Sequence, residues 1–363
     1  MSLSYRASIL ANLFLLVILI APNSLASGVT CQGSDPEKSA STKSGEKKKK
    51  KKEKEKKEKG ESPRLIWVDP SDIEARDLFY GIGGKSGAPD PSGRFKFIER
   101  KTGGYSPKIV VEDEKGEKWT AKYGSEAKPE TAATRIVWAA GYHVDQDYFL
   151  KDVQIAGWNG STRDFRFERD HDGYKSDGSW EWKSNPFVGT REMDGLKVLM
   201  ALVNNFDLKT DNNKIVHPDK KSGESHEKIY YVNDLGATFG STGKWFNSIP
   251  IIGELPAALF KSAGTKGDPK KYEEGKFIQK VRDGKVYFHF TRWKARKAIG
   301  SVKIENAIWM GDILGRLSDK QITDAFRAGG FNDNEVSIYL KVVKNRITQL
   351  QDLKQSLAAH GSK

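Results

Sequence analysis

A single cysteine, Cys31, stands among 363 residues, so no disulfide can close within the chain and no multi-cysteine zinc centre can be built from it. Histidine is scarce too, and neither His143 nor His171 has a cysteine or second histidine at metal-ligand spacing. No apolar run reaches the ~20 residues that a membrane-spanning helix needs; residues 9–21 come nearest. A complete P-loop is missing, because Gly84-Lys85-Ser86 would require glycine where Phe79 stands. An EF-hand loop begun at Asp170 fails as well: Tyr174 and Lys175 hold the places of a ligand and a glycine. These gaps exclude a disulfide scaffold, a thiolate metal site and a Walker-type nucleotide site.

The amino terminus is informative. Residues 9–21 are almost wholly apolar, follow Arg6, and lead into Pro22-Asn23-Ser24-Leu25-Ala26-Ser27. Small residues at those places predict a signal peptide over residues 1–26, cut after Ala26, and an exported protein in the periplasm, cell envelope or medium. The alternative is an uncleaved anchor that keeps the rest of the chain cytoplasmic. Gly28-Val29-Thr30-Cys31 lacks the run that a lipid-attachment signal requires. Residues 47–59, opening with six lysines from Lys47, hold ten Lys against three Glu, so about half of the formal net charge of +13 sits there. Such a block cannot bury apolar area, and residues 27–63 are predicted to be a disordered tether. The same lysines suit an anionic membrane surface. Nucleic acid is not an expected partner, because no aromatic residue is interleaved to stack on bases.

Composition changes at Pro63-Arg64-Leu65-Ile66-Trp67-Val68, where the folded part begins. Gly81 to Ser86 reads as a flexible glycine-rich connection. Strands are predicted at residues 94–99, 108–112 and 118–123, with Gly103 and Gly104 in the first turn, where glycine lets backbone N–H groups approach a phosphate. A helix then starts at Pro129-Glu130-Thr131 and ends at Gly141. Residues 147–155 are expected to be a hinge strand. Helical periodicity follows at residues 304–317, 319–328 with Ser318 as N-cap, and 334–353. Strands first and helices later make an α+β chain with no internal repeat.

Two acidic motifs carry the chemistry. Asn205-Phe206-Asp207-Leu208-Lys209-Thr210-Asp211-Asn212 follows an apolar run, and Asn233-Asp234-Leu235-Gly236 follows the strand-like Ile229-Tyr230-Tyr231-Val232. Asp207 to Asn212 is a D-x-x-x-x-N spacing, and Asp234-Leu235-Gly236 is a D-x-G triplet after a strand. Magnesium takes oxygen ligands, so one carboxylate can hold metal while another accepts a proton from an attacking hydroxyl. Lys122, delivered by the third strand, has Glu130 on the next helix as its expected partner, with Glu126 in reserve.

Residues 94–350 thus resemble an atypical member of the protein-kinase-like fold. Ala121-Lys122-Tyr123, Glu130-Thr131-Ala132-Ala133-Thr134-Arg135 and Gly141-Tyr142 are similar to the lysine strand and following helix of HipA-type and phosphatidylinositol-kinase-like enzymes. The resemblance implies a β-rich N-lobe at residues 64–157, a mainly helical C-lobe at 158–350 and a tail at 351–363. It implies ATP and Mg2+ as cofactors. It further implies that Lys122 holds phosphates, Glu130 positions Lys122, Asp207 is the base, Lys209 steadies the transferred group, and Asn212 and Asp234 bind metal. Departures are Asn205-Phe206 in place of His-Arg, Leu235 in place of Phe, and the lack of an A-P-E triplet after Asp234. The activity expected is phosphoryl transfer to an unknown protein, lipid or small-molecule acceptor. Nucleotidyl transfer and a non-catalytic kinase-like binding module at the cell envelope are the alternatives.

Overall fold

The computed structural model describes residues 63–102, 106–169, 173–219, 227–241, 264–355 and 357. The expected signal peptide, the tether except Pro63, Gly103 and Gly104 lie outside them. The α+β expectation holds, with a β-rich first lobe and a largely helical second lobe.

The short β1 (Arg64–Leu65) precedes the first lobe. That lobe's strands are β2 (Arg94–Lys101), β3 (Lys108–Glu112), β4 (Lys118–Tyr123), β5 (Asp147–Asp152), β6 (Gln154–Ala156) and β7 (Arg163–Arg169). They form one sheet in the order β5-β7-β4-β3-β2-β6. Residues 147–152 are therefore an edge strand paired with β7, not a hinge, and the sheet runs on to Arg169, past the boundary expected at residue 157.

Alternation gives this sheet two unlike faces. Trp119, Ala121, Tyr148, Leu150, Phe165 and Phe167 pack an aromatic core on one side. On the other, Lys122, Arg166 and Asp147 are buried and charged. That charged face meets α1 (Ala127–Ala139), which is buried almost all round. Ala132, Ala133, Ile136 and Val137 of α1 belong to the core of the second lobe. The helix is thus a wedge shared by both lobes.

The second lobe contains β8 (Tyr174–Ser176), α2 (Arg191–Leu202), β9 (Asn213–Pro218) and β10 (Lys228–Val232). Then come α3 (Pro269–Glu273), β11 (Ile278–Arg282), β12 (Lys285–Phe288), α4 (Trp293–Ile299), β13 (Val302–Lys303), α5 (Ile304–Gly315), α6 (Asp319–Ala328) and α7 (Asp333–Gln351). One sheet has the order β1-β10-β9-β8 and another β11-β12-β13. Ser318 caps α6 as expected, in a reciprocal capping box with Gln321. Among the described residues no helix is long and apolar enough to cross a membrane.

Residues 64–83 strap the lobes together. Trp67 Nε1 donates to the Ala140 carbonyl at 2.8 Å, and Arg76 to that of Trp138 at 2.6 Å, both at the end of α1. From the second lobe, Gln321 donates to the carbonyls of Ile73 and Arg76, and Arg316 forms a two-pronged pair with Glu74. The glycine-rich stretch expected to be a loose connection is packed in place, with Gly81 against the Arg135 guanidinium and Gly83 against Gln146 and Tyr148.

Candidate active site

Lys122 sits where three carboxylates converge. Its Nζ lies 2.6 Å from Glu126, 2.8 Å from Glu130 and 3.0 Å from Asp234. Both candidate partners of the lysine are therefore engaged at once. Glu126 precedes α1, which begins two residues earlier than expected, and its carboxylate makes no cap bond to that helix. It is turned instead to Lys122, to Lys266 and to the Ser106 hydroxyl, which donates at 2.5 Å.

The second acidic motif reaches this lysine through a tight backbone turn. Asp234 has φ +50, in the left-handed region. Two residues on, a Cβ at Gly236 would lie 2.7 Å from that of Glu126, so the glycine of Asp-Leu-Gly is required by the approach of α1. Beyond it, Phe239 packs with Tyr272, Phe326 and Tyr339, and the Tyr339 hydroxyl donates to its carbonyl.

The first motif is held alongside. Phe206 N donates to the Ala237 carbonyl and Phe239 N to that of Val203, which pairs the two segments. Asn212 Nδ2 donates to the Asp207 carbonyl at 2.7 Å, and Asn233 N donates to the Asn212 carbonyl at 2.9 Å. Asp207, partly exposed, is paired with the exposed Lys209 at 2.8 Å. A chain of direct contacts therefore joins Lys209, Asp207, Asn212, the Asn233-Asp234 pair, Lys122 and Glu130, which sequence separates by as much as 112 residues.

Behind Lys122 lies an ionic network that the motifs do not announce. Arg166 Nε lies 2.6 Å from Asp147, and its Nη1 lies 2.8 Å from Glu168 and 3.5 Å from Glu130. Arg135 also pairs with Asp147, at 2.8 Å. Lys214 of β9 reaches Asp145 and Glu168, and so ties the second lobe to the first. A period-two signal was present: Phe165-Arg166-Phe167-Glu168 and Asp145-Gln146-Asp147 each put charge on one strand face. Lys266 and Ser106 carry no such signal.

Around the lysine, six carboxylates (Glu126, Glu130, Asp145, Asp147, Glu168 and Asp234) face five cations (Lys122, Arg135, Arg166, Lys214 and Lys266). Burial alone would lower the Lys122 ammonium, but Glu130, Asp234 and Glu126 outweigh it and hold the group well above its ordinary value. Burial likewise opposes ionisation of Glu126, yet Lys122, Lys266 and Ser106 hold it at about 2. Glu130 is the opposite case: burial pushes it up to about 7 against the pull of Arg166 and Lys122.

Glu126, Glu130 and Asp234 bring carboxylate oxygens within 4.8 Å of one another, a spacing that suits a metal ion. The Lys122 ammonium already stands among them. Asp234 Oδ2 and Asn212 Oδ1 have no hydrogen-bond or ion-pair partner among the described residues, whereas Asp234 Oδ1 and Asn212 Nδ2 are committed.

No family model matches the chain, and no curated protein does. Among solved structures, the crystal structure of a Helicobacter pylori proinflammatory kinase, CtkA, is similar at 14% sequence identity and a TM-score of 0.45. The match covers 75% of this chain and 99% of that one.

Proposed function

We propose that this chain is an ATP- and Mg2+-dependent phosphotransferase of atypical kinase type. The observation that supports it best is Lys122 bridging Glu130 and Asp234, with Asn212 bonded to Asp207 one contact away. Lys122 neutralises phosphate charge, held in direction by Glu126 and Glu130. Asp234 and Asn212 supply the free oxygens for metal. Bound magnesium would screen the phosphates and favour in-line transfer. In this reading Asp207 accepts the acceptor hydroxyl's proton as its oxygen attacks, and Lys209, paired with it at the surface, steadies the transferred group.

Calorimetry of ATP binding with and without magnesium, beside an assay of terminal-phosphate transfer or release, tests this. Asp234→Ala should lose magnesium-dependent binding. Asp207→Asn should bind ATP nearly as the parent does and lose turnover by roughly 10²–10⁴-fold. A parent chain without magnesium-dependent binding would sink the proposal. Binding without turnover, indifferent to Asp207→Asn, would favour a non-catalytic module. We also propose export, on the strength of residues 9–21; a mature mass beginning near Ser27 is the expected result, and a mature mass that retains Met1 would refute it.

A further inference from the structure

The link from β4 to α1 is Tyr123-Gly124-Ser125-Glu126, and Gly124 takes φ +105 to make its turn. Beside it is a cavity of about 460 Å³, whose apolar wall is Pro129 and Phe331. Three cations line it, Lys128, Arg163 and Lys266, against two carboxylates, Asp164 and Glu335, and Arg163 is paired outside it with Asp152 at 3.3 Å. Glu335 is already committed, since its Oε2 accepts from Asn332 N at 2.8 Å in the cap of α7. Lys128 is the opposite. Its ammonium lies 5.6 Å from the centre of the Phe331 ring and joins no ion pair among the described residues. Lys266 lines the cavity while its Nζ grips Glu126, the carboxylate that touches Lys122.

We propose that this cavity is an oxyanion site for the phosphate monoester of a small molecule. The volume suits a small ligand. A carboxylate would satisfy Lys128 alone, whereas a dianion matches Lys128 together with a Lys266 drawn partly away from Glu126. Phosphate also offers several acceptor oxygens, enough for Ser125 as well as the cations. Lys266 cannot serve Glu126 and the ligand fully at once, so occupancy shifts the balance of charge around Lys122. The site needs no nucleotide for its definition and stands whether or not the phosphotransferase reading does.

The test is calorimetry of the full chain with inorganic phosphate and with phenyl phosphate, at constant ionic strength. Saturable binding is expected, tighter for phenyl phosphate because of Pro129 and Phe331. Lys128→Ala should weaken it roughly tenfold, as loss of a charge-assisted contact does, and Lys128→Glu should abolish it. Lys128→Arg should restore most of it, which separates a lost contact from misfolding. Lys266→Ala should weaken it as well. Absence of saturable binding, equal binding by Lys128→Glu, or a Lys266→Ala chain that binds as the parent does would each overturn the proposal. Phosphate held by the nucleotide-site groups instead would be indifferent to Lys128→Glu.

Discussion

Lys122 and Arg166 stand directly opposite each other on the paired strands β4 and β7, two cations side by side on the face that meets α1. Like charges so placed repel. Here each is immersed in carboxylates, Lys122 in Glu126, Glu130 and Asp234, and Arg166 in Asp147, Glu168 and Glu130. Glu130 is common to both sets, so the helix acid that orients the lysine is itself oriented by the arginine.

Replacement of Arg166 by methionine should therefore be costly. It removes one partner of a buried pair and leaves Asp147 and Glu130 with less cation than they had, a change worth about 3–5 kcal/mol. Urea unfolding of the variant measures it. A loss under about 1 kcal/mol would mean that water or side-chain movement supplies what Arg166 does now.

Stability should peak in mildly acid solution, because the two glutamates beside Lys122 titrate in opposite senses. Glu126 falls from 4.5 to about 2 on folding, so the folded state binds fewer protons across that window and stability rises with pH there. Glu130 rises from 4.5 to about 7, so the folded state binds more protons and stability falls as pH climbs from 4.5 to 7. Each arm has a limiting slope of about 1.4 kcal/mol per pH unit. Denaturation of Glu130→Gln across this range should show the rising arm without the falling one. A falling arm that persists in the variant would assign it to another group.

Asn212→Asp separates two uses of one side chain. The aspartate keeps an oxygen for metal but loses the Nδ2 donor to the Asp207 carbonyl, and turns a contact at 2.7 Å into repulsion. Magnesium-dependent ATP binding should stay within a few-fold of the parent, while turnover drops about 10–100-fold with the displaced Asp207. Parallel loss of both would show that Asn212 acts through the metal alone.

Gly141→Ala should loosen the strap. Gly141 has φ +94, and a Cβ there would lie 2.2 Å from the Val68 carbonyl oxygen. The strain and the lost bond from Val68 N to the Gly141 carbonyl together predict about 2–3 kcal/mol of destabilisation, read as a drop in Tm. Increased amide exchange should appear in residues 67–76 first.

What was legible in the sequence was local. Lys122, Glu130 and Asp234 each follow a short-range signal: a lysine closing a strand, an acid in the first turn of a helix, and an Asp-x-Gly after an apolar strand. Ser318 at the cap of α6 is of the same kind. The role of Arg166 depends on strand register across β4 and β7, and a shift of one residue would have turned it outward. The alternation of β5 says only that one face is buried, which suits a hinge strand and an edge strand alike. It does not say that β7 returns to cover it, beyond the loop. Lys266 is set 32 residues after Asp234 and 140 after Glu126, yet its ammonium meets the Glu126 carboxylate. Side chains that act across such distances leave no spacing to read.

The strap at the end of α1 makes that helix a lever. Trp67 and Arg76 hold its carboxyl end through Ala140 and Trp138, while Glu126 and Glu130 ride on the other end. At ~1.5 Å per residue, Glu130 lies roughly 14 Å from the fulcrum, so a tilt of about 5° would move its carboxylate by ~1 Å. That displacement is enough to break the hydrogen bond from Lys122 to Glu130, now 2.8 Å long. A disturbance at Gln321 or Arg316, remote from any phosphate, would thus arrive at the lysine magnified.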